Sequence, residues 1–498
     1  MTTTATYAEL LARNAEACGD QPALLGDSGC ITHAELARRA RRLAGALAAL
    51  GVVRDDRIAA LAANRHEIIE LLGAAAYLGA TLVMLNVRWT AAEIAGVVDD
   101  AAPRLLFADP ELEPLLAAVP AHVDCRSFGA HAGRLAAWDE LDRGHEISAP
   151  AAGAQAPLLG IPTAAVDGRP RIALLSHAAL LHQARLLTDA WSLSATDRYL
   201  CMLPLFHAAA MVLTLTAQAN GGATVIQARF DPPAAAAAIA THDVSFFASF
   251  SPMLAGILDA ADAAKSGLPS LRAITGLEPP DAVQRLHERC PQAAFWSLYG
   301  QTETSGFATL APMSARPGSA GKPLPGVELR IEREDGGWAL PGEPGEIVLR
   351  SACIFNGYWQ RPAETAHARR GGWHHTGDRG RLDADGFLWY LGRTADKELI
   401  KSGGENVYPA EVEAALAAHP AVAQAVVLGV PDERWGEAVR AVCVLNAGHA
   451  LTPEALIDFV AERIARFKRP REVLFVPALP CLADGRVDRA AVRASHAG

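Results

Sequence analysis

A repeated alternation of strand-like and helix-like segments along the first half constrains this chain more than any other feature. Residues Ala34–Leu50 carry apolar side chains at helical spacing and stop at Gly51, a residue suited to the left-handed turn that ends a helix. Arg57–Ala63 reads as a strand, Glu67–Leu78 as a helix and Thr81–Leu85 as a short strand. This β-α-β rhythm predicts parallel sheets with helices on both faces, an α/β fold.

The pattern changes further along. Ala149–Gly168, rich in Ala, Gly and Pro, reads as an irregular loop. From Arg316 to Gly357, Pro and Gly recur between short alternating runs such as Val327–Ile331 and Glu346–Leu349. That spacing predicts antiparallel strands in a small β-barrel-like subdomain. The large body is expected to end around Arg393–Lys397. Beyond it come a helix at Ala410–Ala418, strands at Val422–Val430 and Val439–Leu445, a helix at Pro453–Ala465 and a strand at Glu472–Val476. The expected division is a large domain over 1–393, a connection at 394–397 and a small α+β domain over 398–498.

Bulk properties narrow the function. At 498 residues the chain exceeds one small core. A net charge of −10 argues against a nucleic-acid-binding surface, which needs a basic stripe. No two of the eight cysteines form a C-x-x-C pair, so neither a zinc site nor a disulfide framework is indicated. The beginning, Met-Thr-Thr-Thr-Ala-Thr-Tyr, lacks a basic segment followed by an apolar one, so no signal peptide is expected. The longest apolar run, near Ala208–Leu215, is too short to span a bilayer. A cytoplasmic enzyme is the default expectation.

Three motifs carry the chemistry. They are Tyr299-Gly300-Gln301-Thr302-Glu303, then Thr376-Gly377-Asp378, then Gly403-Gly404-Glu405-Asn406-Val407-Tyr408-Pro409. In that order and at those intervals they resemble the adenylate-forming superfamily, in its branch of acyl-CoA synthetases and AMP-dependent ligases. The resemblance covers nearly the whole chain. It implies that Tyr299 packs beside adenine, that the Thr302 hydroxyl meets the α-phosphate and that Glu303 helps hold Mg²⁺. A carboxylate plus phosphate oxygens suits that hard cation. Asp378 takes the place of the carboxylate that binds both ribose hydroxyls, and Arg393 that of a second ribose and phosphate contact. Gly276 and Glu278, around Leu277, match the turn beside the acyl and adenine pockets, where the family often has a second glycine. His207 matches an aromatic gate between the acyl pocket and the thiol tunnel. Lys401, Gly403, Gly404 and Glu405 fall on the loop that enters the site in the thioester-forming pose. The resemblance further implies a mobile C-terminal domain that rotates about a hinge just after Arg393. Plain structural roles stay open for these residues: a turn cap for Asp378, a surface ion pair for Arg393, a core histidine for His207.

Two regions depart from the family pattern. The phosphate loop, normally close to T-S-G-T-T-G-x-P-K-G, here reads Thr163-Ala164-Ala165-Val166-Asp167-Gly168-Arg169-Pro170-Arg171. One hydroxyl survives, at Thr163. Asp167 puts a carboxylate where the outer phosphates should lie, and like charges at contact distance repel. Arg171 replaces the lysine, keeping its charge but not its compact head, and Ile172 replaces a glycine. Near the C-terminus, Arg486 stands where the family has the lysine that bridges carboxylate and α-phosphate during adenylation. A planar guanidinium is no conservative replacement at a site that depends on placement. The coding bias that leaves only Lys265, Lys322, Lys397, Lys401 and Lys468 accounts for either arginine alone, but not for Asp167 and its apolar neighbours.

Three functions follow. The first is an acyl-CoA-synthetase-like enzyme acting on an acyl-adenylate or acyl-CoA of an apolar or aryl acid, with weakened adenylation from ATP. The second is an ordinary AMP-forming carboxylate–CoA ligase. The third is a silent homologue that binds nucleotide or a partner. AMP or ATP, Mg²⁺, and coenzyme A or a carrier protein are the implied companions. Phe246, Phe250, Met253, Thr275 and Leu298 are the candidate acyl-pocket residues.

Overall fold

The computed structural model describes residues 5–26, 29–133, 135–141, 144–163, 170–394, 399–402, 405–432, 435–482 and 487–496. They form two compact units. One takes in the chain to Val87, Val98–Thr163 and Ile172–Gly392. The other takes in Arg88–Val97, residues 170–171 and the chain from Arg393 onward.

In the first unit, a nine-stranded sheet runs Lys322–Pro323, Thr309–Pro312, Ala294–Tyr299, Ala273–Leu277, Phe246–Phe250, Arg198–Cys201, Ala223–Ile226, Pro22–Gly26, Gly29–Thr32. Its six central strands are parallel. Antiparallel strands finish both edges, so the sheet is mixed where the sequence rhythm predicted parallel pairing alone. A seven-stranded sheet runs Gly357–Tyr358, Arg171–Ser176, Pro157–Thr163, Thr81–Met84, Arg57–Leu61, Leu105–Ala108, Asp124–Ser127. Thr81–Met84 and Leu105–Ala108 are buried at every position, as strands covered on both faces must be. The helix Ala208–Ala219 is apolar almost all round and correspondingly buried.

The early elements lie close to where periodicity put them. The helix His33–Ala49 starts at Thr32, whose side chain accepts from Glu35 N–H, and Gly51 follows it with φ +83°. The helix His66–Leu78 ends on Gly79 in the left-handed region. One expectation fails. The stretch read as a loop over Ala149–Gly168 contains the strand Pro157–Thr163, with Leu158, Leu159 and Ile161 buried. Leu159 and Gly160 pair with Leu82 and Val83 of the neighbouring parallel strand. The Gly and Pro content suggested a loop, but burial of a short apolar run between sheet neighbours overrides composition.

Where a barrel-like subdomain was expected, Glu328–Glu332, Gly345–Arg350, His374–Leu382 and Leu388–Arg393 form a four-stranded sheet in that order. The first two pairings are antiparallel. In the second unit, the long strands Val422–Asp432 and Gly436–Leu445 pair antiparallel, and Glu472–Phe475 joins the latter in parallel. The helices Pro409–Ala417 and Pro453–Ala461 contribute Val412, Leu416, Leu456 and Val460 to this unit's own core. Buried Lys468 is held between Glu93 and Glu411 of the same unit. Among the described residues no helix is long and apolar enough to cross a membrane.

Gly160 offers a test of the added strand. A Cβ there would lie 3.0 Å from Ile172 Cγ2 and 3.1 Å from Val83 Cγ2. Gly160→Val is expected to destabilise the first unit by about 1–3 kcal/mol through overpacking, read as a lower denaturation midpoint.

Candidate active site

The central parallel strands of the nine-stranded sheet end together at Phe250, Leu277 and Tyr299, the edge where open α/β sheets bind ligands. Backbone geometry is tight here. Gly276 has φ +133°, and a Cβ on it would fall 1.9 Å from Ser249 O, so no side chain fits. At Gly300 an added Cβ would sit 2.1 Å from Gly306 O. The chain then makes the 3₁₀ turn Thr302–Thr304, with Gln301 N–H donating to Thr304 Oγ1 at 2.9 Å.

The motif carboxylate Asp378 is buried on the strand His374–Leu382. Its Oδ2 accepts from Tyr299 O–H and from Gln301 Nε2, each at 2.6 Å. Gln301 Nε2 also donates to Thr376 O at 2.9 Å, and its Oε1 lies 3.2 Å from His374 Nε2. The Asp378 turn is itself braced: Thr376 Oγ1 donates to Ile347 O, Asp378 N–H donates back to Thr376 Oγ1, and Gly377 N–H donates to Glu346 Oε1 at 2.8 Å. Tyr299, Gln301 and Asp378, three predicted nucleotide residues, thus form one hydrogen-bonded group. The Tyr299 hydroxyl donates to Asp378, and its ring lies 6.2 Å from that of Tyr390.

Glu303 projects from the 3₁₀ turn, half-buried, with Oε1 accepting from Tyr358 O–H at 2.6 Å. Thr302 is half-buried on the same turn. A carboxylate on a turn beside the nucleotide group is a suitable donor for a hard cation such as Mg²⁺. In a second acidic cluster, Glu346 Oε2 lies 3.1 Å from His375 Nδ1 and 3.0 Å from Arg370 Nη2, with Glu332 Oε2 3.5 Å from His375 Nδ1.

Glu278 is buried, and its Oε1 accepts from Ser249 Oγ at 2.6 Å and Leu254 N–H at 3.0 Å. It serves the N-terminus of the helix Met253–Ala263, where Pro252 makes no side-chain cap bond. Burial raises its carboxyl, against the lowering effect of those two hydrogen bonds. His207 sits half-buried at the start of Ala208–Ala219, its ring 4.7 Å from that of Phe206. His177, which follows the phosphate-loop strand, accepts Tyr7 N–H at Nδ1 and is pushed down to about 4 by burial, a structural histidine.

Thr163 closes one strand and Arg171 opens the next, both half-buried, and these two strands are neighbours in the sheet. Asp167 and Gly168 between them lie outside the described residues, as do Gly403, Gly404 and Arg486. Arg393 ends Leu388–Arg393, half-buried. Most of the expected hinge, 395–397, also lies outside the described residues. Lys401 is exposed on Ile400–Ser402, its N–H bonded to Glu437 Oε2 at 2.7 Å. Glu405 is buried and paired with Arg88 of the same unit. Among the pocket candidates, Phe250, Met253 and Leu298 are half-buried against the core. Phe246 is instead stacked on Tyr199, and Thr275 is fully buried with its hydroxyl bonded to Trp296 O. Sequence reasoning passed over Tyr358 and Glu346. Their partners, Glu303 and Gly377, lie 55 and 31 residues away along the chain, so no local pattern marks either residue.

The AMP-binding enzyme family model matches residues 11–359, and that of the AMP-binding enzyme C-terminal domain matches 411–486. Indoleacetate–CoA ligase of Aromatoleum aromaticum is 36% identical over 476 residues, covering 93% of this chain and 92% of its own. 2-Succinylbenzoate–CoA ligase of Geobacillus kaustophilus is 37% identical over 456 residues, with 90% of each chain covered. The o-succinylbenzoate CoA synthetase of Bacillus subtilis, solved as a double mutant with a product analogue, superposes with TM-score 0.85 at 28% identity, over 97% of this chain and 98% of that one. The same enzyme solved with ATP and magnesium ion gives TM-score 0.69 at 29% identity, over 97% and 99%.

The raised Glu278 carboxyl makes a pH prediction. The folded chain holds this proton more tightly than the unfolded chain, whose group keeps the ordinary value of 4.5. The stability it supplies is complete below 4.5 and is lost as pH rises through the folded value. Glu278→Gln keeps an acceptor for Ser249 and Leu254 but cannot ionise. It should therefore be more stable than the parent at pH 8, with the advantage vanishing by pH 4, in denaturation midpoints measured across that range.

Proposed function

The chain belongs to the AMP-binding enzyme family, among the acyl- and aryl-CoA ligases, and from that footing we propose that it handles the adenylate and coenzyme A thioester of an apolar or aryl carboxylic acid, with a weakened grip on the outer phosphates of ATP. The assembled Tyr299–Gln301–Asp378 group carries this reading. Asp378 offers acceptor oxygens to a vicinal diol, and two donors fix its orientation before any ligand arrives.

Two transfers make up the reaction. In the first, a carboxylate oxygen attacks the α-phosphorus and pyrophosphate leaves. In the second, the thiol sulfur of coenzyme A attacks the acyl carbon, its proton passes to solvent, and AMP leaves. Glu303 is the residue that would hold Mg²⁺, which supplies neutralising charge beside the phosphates. The half-buried apolar side chains of Phe250, Met253 and Leu298 at the carboxyl edge support an apolar or aryl acyl group. The names of the relatives support coenzyme A as acceptor.

The weakened ATP grip is argued from sequence. Asp167 puts negative charge in the phosphate loop, and Arg171 and Arg486 replace compact ammonium heads with planar ones. The ordinary ligase remains the second reading, because both arginines keep the charge. Calorimetric titration with Mg·ATP and with AMP separates the two. AMP binding as tightly as ATP or tighter is the expected result, and ATP clearly tighter than AMP returns the ordinary ligase. Asp167→Thr is expected to tighten Mg·ATP by about tenfold, from about 1.4 kcal/mol of relieved repulsion, with AMP affinity unchanged.

A further inference from the structure

Tyr358 lies 55 residues along the chain from Glu303, yet its hydroxyl touches that half-buried acid. The short strand Gly357–Tyr358 pairs with Leu174 and Ala173, on the strand that leads away from the phosphate loop. Its backbone is fixed on both sides. Asn356 N–H donates to Leu174 O, Trp359 N–H to Ile172 O, and Tyr358 N–H to Thr365 Oγ1, all within 2.9 Å. Gly357 has φ +141°, and a Cβ on it would come 2.7 Å from Thr365 Cγ2. The Tyr358 side chain is 9% exposed and packs edge-on against Phe355, 4.8 Å between ring centroids. Phe355 N–H in turn donates to the backbone oxygen of Glu303 at 2.9 Å.

We propose that Tyr358 is a positioning residue for the cation site at Glu303. This rests on the reading of Glu303 as the Mg²⁺ carboxylate. A glutamate on a half-exposed 3₁₀ turn has three side-chain torsions to lose before it can meet a cation in one geometry. The hydroxyl of Tyr358, 2.6 Å from Oε1, takes up one oxygen with a charge-assisted bond from a rigid ladder. Oε2 is thereby assigned to the cation, as a single ligand oxygen. The same segment reaches the ribose side of the site. Phe355 packs on His374 with centroids 5.6 Å apart, and His374 meets Gln301, which holds Asp378. The segment 355–358 therefore touches Glu303 directly, and reaches Asp378 only through His374 and Gln301.

Outer-shell partners of a metal carboxylate typically govern affinity by about 10–100-fold. The test titrates the full chain with ATP at a series of Mg²⁺ concentrations, and with AMP in EDTA, for the parent, Tyr358→Phe and Glu303→Gln. For Tyr358→Phe the Mg²⁺ concentration at half-saturation should rise about tenfold, while AMP affinity stays at its parental value. Glu303→Gln should lose the Mg²⁺ dependence. If the parent shows no Mg²⁺ dependence, or Glu303→Gln keeps it, Glu303 is not the cation ligand and both readings fall. If Glu303→Gln loses the dependence but Tyr358→Phe matches the parent, the role of Tyr358 alone is overturned. If Tyr358→Phe weakens AMP binding equally, the residue is merely structural, and the proposal is overturned as well.

Discussion

The shared oxygen of Asp378 is the contact on which the site depends. Tyr299 and Gln301 come from the end of a parallel strand in the nine-stranded sheet, and Asp378 from a strand of the four-stranded sheet. Two donors at 2.6 Å on one carboxylate oxygen join those sheets at the point where a ligand would meet both. These donors offset part of the cost of burying Asp378. The turn behind it, through Thr376, Gly377 and Glu346, repeats the same logic one layer further back.

The sequence rendered much of this legible, for identifiable reasons. Tyr299, Gln301 and Asp378 were singled out because three motifs in order resemble those of one family, and the structure brings these three residues into one hydrogen-bonded group. The helices after Thr32 and Arg65 and the strands at Arg57 and Thr81 were legible because burial writes periodicity into them. Pro157–Thr163 was not, because a strand with a glycine at its centre and prolines near both ends carries the composition of a loop. Gly160 is there for lack of room, which only the neighbouring strands reveal. Tyr358 escaped for a different reason: its role depends on a contact with Glu303 across 55 residues of chain, and no local pattern encodes such a pairing.

The site also separates two electrostatic tasks. Asp378 accepts from a hydroxyl and an amide, and Glu303 accepts from a hydroxyl. In the second acidic cluster, Arg370 supplies a cation and His375 a ring nitrogen to Glu346 Oε2, while Glu346 Oε1 holds Gly377.

Gly276 sets the terms on which such a chain can change its substrate. With Ser249 O only 1.9 Å from where a Cβ would stand, the two strands beneath the pocket are locked at one separation. No swap of backbone spacing can enlarge or tilt that floor. Phe250, Met253 and Leu298 are each half-buried against the core. Sequence change near this edge can therefore act through side chains, while the spacing of the two strands at Gly276 stays fixed.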